Sequence, residues 1–146
     1  GAQPVIAKLV LIKQAADLHS PTINQMTIHH VASRDFDKQV EKVRNSYRQR
    51  RDYMLDALAR FMPPGVTWTK PEGGMFVWVT LPEGMDGAGL LAQALQKVRV
   101  AFVPGFAFHA DGTGKNTIRL NFSLPNKEAI ETGISRLGKL IAEEAA

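Results

Sequence analysis

Three short segments of this 146-residue chain carry residue types that can do chemistry. Glu72-Gly73-Gly74-Met75-Phe76-Val77-Trp78 sets paired glycines before an aromatic stretch, which lets backbone approach a ligand closely. The same pattern also serves as a tight turn before a core strand. Val103-Pro104-Gly105-Phe106-Ala107-Phe108 puts a rigid Pro-Gly step before two aromatics. Such a step can build a pocket wall, or it can close a strand whose residues pack in the core. The third segment holds Arg119, a single cation on the outer face of an alternating stretch. A guanidinium takes a carboxylate through two parallel hydrogen bonds, which fixes position and orientation together. From pattern alone it is otherwise an exposed arginine.

Other chemistries are poorly provided for. There is no cysteine, so a disulfide scaffold, a thiolate metal site and a cysteine nucleophile are excluded. That fits a reducing cytoplasm, the expected location. The four histidines do not make a metal site. His29 and His30 are adjacent and point to different sides of a helix, while His19 and His109 lie in unrelated segments. No nucleophilic serine elbow accompanies His109 and Asp111, and neither a GxGxxG nor a P-loop pattern occurs. Net charge is +4 and the isoelectric point about 9.6. The densest basic stretch, Lys38 to Arg51, reads as the solvated face of a long helix. It has no recognition module or aromatic platform to make it a nucleic-acid footprint. No apolar run reaches the roughly 18 residues of a membrane span, and no signal peptide is visible. The chain opens on Gly1-Ala2-Gln3-Pro4 without methionine, which reads as a cut end.

The elements that must position these segments follow from periodicity. Pro4 suits a helical first turn, and Val5, Leu9, Ile12 and Ala16 carry helical spacing up to about His19, before Ser20-Pro21. A second short helix is expected from Thr22 to Ala32. A longer one follows, capped by Asp35 or Asp37, with an apolar stripe of Val40, Val43, Tyr47, Met54, Leu58 and Phe61; Pro63-Pro64-Gly65 ends it. The period then changes to two. Val66 to Thr69 and Met75 to Leu81 read as strands, the second apolar on both faces and so central or beside a pocket. Gly84 to Gly89 reads as a loop, and Leu90 to Val98 as a helix. Val100 to Val103 reads as a strand, Asp111 to Asn116 as a mobile polar loop. Thr117 to Phe122 alternates cleanly, with Ile118, Leu120 and Phe122 inward and Thr117, Arg119 and Asn121 outward. A last helix starts at the cap Asn126 and shows Ile130, Ile134, Leu137 and Ile141 on one face. The expected fold is α+β: a small, mostly antiparallel sheet covered by helices, preceded by further helices.

Taken together, the three segments resemble the C-terminal part of class I/II, fold type I aminotransferases, which use pyridoxal phosphate. The likeness is to the branch of kynurenine/α-aminoadipate aminotransferases and to the aminotransferase-like domains of MocR-type regulators. It covers essentially the whole chain in order, from Lys8-Leu9-Val10 and Leu18 to Gln25, through Gly73 to Trp78 and Val103 to Phe108, to Thr117 to Ser123 and the closing helix. The resemblance implies that Arg119 grips the substrate α-carboxylate. It further implies that Phe76, Val103 and Phe108 line the side-chain pocket. Residues 1–34 would be the end of a large domain and interdomain helices, and 35–146 the small domain. The cofactor would be pyridoxal 5'-phosphate, with its Schiff-base lysine upstream of Gly1; Lys13, Lys70 and Lys115 lack the right context, so this stretch alone is expected to be inactive. The implied partners are an L-amino acid, a 2-oxo acid, an N-terminal cofactor-binding domain and a second copy in a homodimer, with no membrane. Two other readings stand beside the enzyme. One is the effector domain of a MocR/GntR-type regulator, which would bring in DNA. The other is a freestanding module that holds carboxylates through Arg119.

Overall fold

The computed structural model describes residues 1–145. The chain divides into two compact units, residues 1–42 and the part from Val43 onward. In the first unit α1 spans Gln3–Ala16, with Pro4 in its first turn. Among the described residues none of this unit is buried: Leu9, Ile12, Ile23 and Met26 all face solvent.

α2 spans Thr22–Phe61, forty residues without a break. Two helices were expected here, with Asp35 or Asp37 capping the second. They are one helix, and neither aspartate caps it. The physical reason is local. No glycine or proline lies between Ala32 and Asp35. The Ser33 hydroxyl donates to the His29 carbonyl at 2.6 Å, and Arg34 meets His30 at 3.1 Å. Polar side chains with partners one turn back sit inside a helix as readily as they start one.

The second unit holds the sheet. β1 (Thr67–Trp68), β2 (Phe76–Thr80), β3 (Val103–Pro104) and β4 (Thr117–Asn121) run in the order β1-β2-β4-β3, every pair antiparallel. The sheet expected from alternation is therefore present, with β2 and β4 central. The edge strands are two residues each, shorter than the expected Val66–Thr69 and Val100–Val103. In β3 the sequence itself sets the limit: Pro104 has no N–H to donate, so pairing stops at the sheet's edge.

One face of the sheet packs the core. Val77, Val79, Leu81, Ile118, Leu120 and Phe122 are buried, together with Met54, Ala57 and Leu58 of α2 and Ile130, Ile134, Leu137 and Ile141 of α4 (Lys127–Glu144). These are the inward positions that periods of two and 3.6 selected. Asn126 caps α4 by accepting from the Ala129 amide at 2.9 Å. Of the expected stripe on α2, the half from Tyr47 onward is covered, whereas Val43 remains exposed.

Gly84 to Gly89 is not wholly loop. α3 begins at Gly87, because the Asp86 carboxylate accepts from the Ala88 and Gly89 amides at 3.2 and 3.1 Å. It runs to Gln93 and continues through a π turn over Ala94–Val98, which Arg99 closes at φ 57°. Pro104-Gly105 leads directly into a single 3-10 turn, Gly105–Phe108.

Candidate functional site

The outer face of the sheet carries the site. Phe76 and Trp78 of β2 and Arg119 of β4 project from it, because all three occupy the phase opposite to the buried residues. The register puts Trp78 and Val103 on either side of Arg119, as its direct cross-strand neighbours. Phe108 arrives from the 3-10 turn.

The guanidinium lies between two aromatic rings. Its central carbon is 4.0 Å from the Phe76 ring centroid and 4.3 Å from that of Phe108. Both distances are within cation–π range. Stacking occupies the two faces of the planar group and leaves its N–H donors pointing outward in the plane. The Nε is buried and has no hydrogen-bond partner. No acidic side chain among the described residues pairs with Arg119. A buried donor without a partner is costly, on the order of 1–3 kcal/mol. A guanidinium built this way is suited to an anion arriving edge-on, and a carboxylate matches its paired donors.

Of the four residues singled out from the sequence, Phe76 and Phe108 both contact Arg119, and Val103 flanks Arg119 on the far side. Both aromatics remain substantially open, Phe76 at 36% and Phe108 at 48%. Within the Val103–Phe108 segment Gly105 is buried, while Val103, Phe106 and Phe108 stay open. The glycine pair behaves as a turn: Gly74 sits at φ +78°, and no other group lies close to either glycine. A residue that sequence reasoning left without a role is Trp78. Its ring meets Phe108 edge-on, centroids 5.6 Å apart at 71°. The available signal was its shared strand phase with Phe76.

The loop beyond Phe108 is tied down by its own polar groups. The Thr113 hydroxyl donates to Asp111 at 2.7 Å, and its oxygen lies 2.9 Å from His109 Nδ1. Bonds from the Thr113 hydroxyl and amide hold the Asp111 carboxyl below its ordinary range. No group of three or more metal-ligating side chains occurs among the described residues.

The basic stretch of α2 does more than meet solvent. Arg44, Arg48 and Arg51 line a cavity of about 500 Å³ with Tyr47, Glu72 and Phe122. Arg51 pairs with its neighbour Asp52 at 2.7 Å and donates to the Pro71 carbonyl at 3.4 Å, while the adjacent Arg50 donates to the Ser123 carbonyl just beyond β4. Arg119 does not open into this cavity.

A small antiparallel sheet, helices on its inner face and an aromatic-clamped arginine on its outer face define an α+β domain. Residues 4–137 match the family described as aminotransferase class I and II, and the chain belongs to that family. It is 50% identical over 146 residues to aromatic-amino-acid aminotransferase 1 of Thermococcus litoralis, covering 99% of this chain and 35% of the relative. The crystal structure of LysN, an α-aminoadipate aminotransferase of Thermus thermophilus complexed with N-(5'-phosphopyridoxyl)-L-leucine, matches with a TM-score of 0.89 and 43% identity. That match covers 98% of this chain and 36% of the other. An uncharacterized HTH-type transcriptional regulator of Bacillus subtilis is 31% identical over 147 residues, covering all of this chain and 30% of the regulator. The chain thus spans about a third of the length of the curated relatives it matches. No helix among the described residues is long and apolar enough to cross a membrane.

The family implies pyridoxal phosphate, and the residues present fit one end of that chemistry. The ring-clamped Arg119 guanidinium, which no acid among the described residues pairs with, fits the carboxylate of a substrate. All nine lysines, by contrast, are exposed, which is not the desolvated setting that tunes a Schiff-base amine.

Proposed function

We propose that this chain is the C-terminal, substrate-gripping part of a pyridoxal-phosphate aminotransferase that moves an amino group from an L-amino acid to a 2-oxo acid. The observation that carries the reading is the Arg119 guanidinium held between Phe76 and Phe108 with no acidic partner among the described residues. When bound, the cofactor supplies the electron sink. This chain's own residues do the holding. Arg119 receives the α-carboxylate and sets the orientation of the α-carbon. Phe76 and Phe108 hold the guanidinium in one orientation and exclude water from its faces. With Val103 they offer an apolar wall to the substrate side chain, 37% of Val103 being open.

In this reading residues 1–34 belong to the end of a large domain and its connection, and 35–146 to the small domain. An N-terminal cofactor-binding domain supplies the Schiff-base lysine, so the 146 residues alone are inactive. The exposed apolar residues of α1 support a covering by further protein. A homodimer in the cytoplasm completes the proposal.

The test is transamination by the gene product that contains this chain, assayed with a panel of L-amino acids and 2-oxo acids. Turnover that collapses in Arg119→Ala supports the reading. A product inactive on every pair, or indifferent to Arg119→Ala, overturns it.

A second reading is favoured by the HTH-type relative: the same domain as the effector-binding part of a transcriptional regulator. Sequence-specific retention of DNA by the intact gene product, without transamination, would establish that reading instead.

A further inference from the structure

The clamp on Arg119 has two sides of unequal rigidity. Phe76 belongs to β2 and is fixed by five paired positions between β2 and β4. Phe108 stands at the end of a four-residue turn, outside any strand, with about half of its surface open. A ring so placed has few neighbours of its own to hold it at 4.3 Å from a guanidinium. The neighbour it has is Trp78. The indole meets the Phe108 ring edge-on at 5.6 Å and stands directly across from Arg119 in the strand register. The ring of His109 also lies near the indole, centroids 6.1 Å apart.

The turn is also built to rest on that indole. A side chain at Gly105 would stand 2.9 Å from Trp78 Cζ2 and would overlap the Thr117 side chain. Glycine lets the backbone of the turn drop onto the sheet at this point, and nothing bulkier would. Pro104 fixes the approach, so the Gly105–Phe108 turn has one seat, and Trp78 forms part of it.

We propose that Trp78 is a positioning residue: it seats the Gly105–Phe108 turn, and through Phe108 it holds the Arg119 guanidinium in the plane that accepts a carboxylate. The inference rests on the carboxylate-gripping reading of Arg119. Trp78 touches neither substrate nor cofactor in this account. Losing the indole leaves the charge of Arg119 in place and removes only its orientation, so binding weakens while the reaction that follows binding does not.

Two readouts test it. The first is independent of activity. In the ¹⁵N-labelled chain the Nε–H of Arg119 lies under two ring faces, so ring currents displace its resonance upfield of the other arginines. Trp78→Leu is expected to return that resonance toward the common position, and Trp78→Phe, which keeps a ring edge, to preserve it. A Trp78→Leu chain whose Arg119 resonance stays displaced overturns the proposal, as does equal movement in both variants. Trp78→Met serves the same purpose where Trp78→Leu does not fold.

The second readout is kinetic, in the gene product that contains this chain. Trp78→Leu should raise KM for the amino acid roughly tenfold with kcat within about twofold, and Trp78→Phe should restore it. Should Arg119→Ala raise KM while Trp78→Leu does not, the role of Trp78 fails and the carboxylate reading stands. Should Arg119→Ala itself leave KM unchanged, the carboxylate reading fails and takes the proposal with it.

Discussion

At the scale of single residues, Arg119 is defined by what surrounds it rather than by its charge. Its two faces are covered by rings, and no acidic side chain among the described residues pairs with it. Arg119→Ala should weaken amino-acid binding by about 2–5 kcal/mol, the loss expected for a desolvated charge-assisted pair. Steady-state KM in the intact gene product reads this directly. Arg119→Lys should recover little of the loss, since an ammonium keeps the charge but neither stacks between rings nor presents a fork of donors. Alternation in Thr117–Phe122 already placed Arg119 on the outer face of its strand, and resemblance gave it a role. The sandwich itself was not legible. It depends on which residue of β2 lies across from which residue of β4, and on where the Gly105–Phe108 turn returns to the sheet.

At the scale of elements, two contacts set how the helices of the second unit are held. The first is the Asp86 cap on α3, with bonds to two free amides. Asp86→Ala should cost about 1 kcal/mol, measured as a shift of the urea midpoint with unchanged slope. The second joins α4 to the α3 region: Glu144 accepts from Gln93 at 2.6 Å and from Lys97 at 3.3 Å. These partners, Gln93 first and then Lys97, hold its carboxyl below the ordinary carboxylate range. A carboxyl whose folded pKa is depressed binds its proton more readily in the unfolded chain. Its contribution to stability is therefore present above the unfolded value and is lost as pH falls through the folded one. Unfolding midpoints of wild type and Glu144→Gln should differ at neutral pH and converge in acid. A gap that persists unchanged in acid would remove the carboxylate as its cause. The elements themselves were largely visible in the sequence, with one instructive exception. The helix expected to stop at Ala32 runs on to Phe61, because polar residues that satisfy one another locally do not interrupt a backbone that nothing else breaks.

At the scale of the whole chain, the two units differ in kind. The unit from Val43 onward buries eighteen apolar side chains in one cluster and has the interior of a folded domain. The first unit buries none among the described residues; Leu9 is 53% and Ile12 63% exposed. Exposed apolar surface on this scale drives association. Sedimentation of the isolated chain should show concentration-dependent self-association, and Leu9→Glu with Ile12→Glu should reduce it. The unfolding midpoint of the second unit should stay where it was. Retained association in the double variant would place the contact elsewhere.

What the sequence by itself determined is the alternation and its consequences: which residues of β4 face the core, where α4 begins, and which strand carries the arginine. These are local matters, set by a side-chain period of two or 3.6 and by caps a few residues away. What only the tertiary structure decided is the company Arg119 keeps. The pairing of Trp78 with Arg119 is a matter of register, and the landing of Phe108 depends on a close approach at Gly105 that no neighbour in sequence reveals. Register and close approach are long-range facts. They arise from how the core packs once both strands are in place, so the residues that make the site act together come from separate elements that local periodicity does not connect.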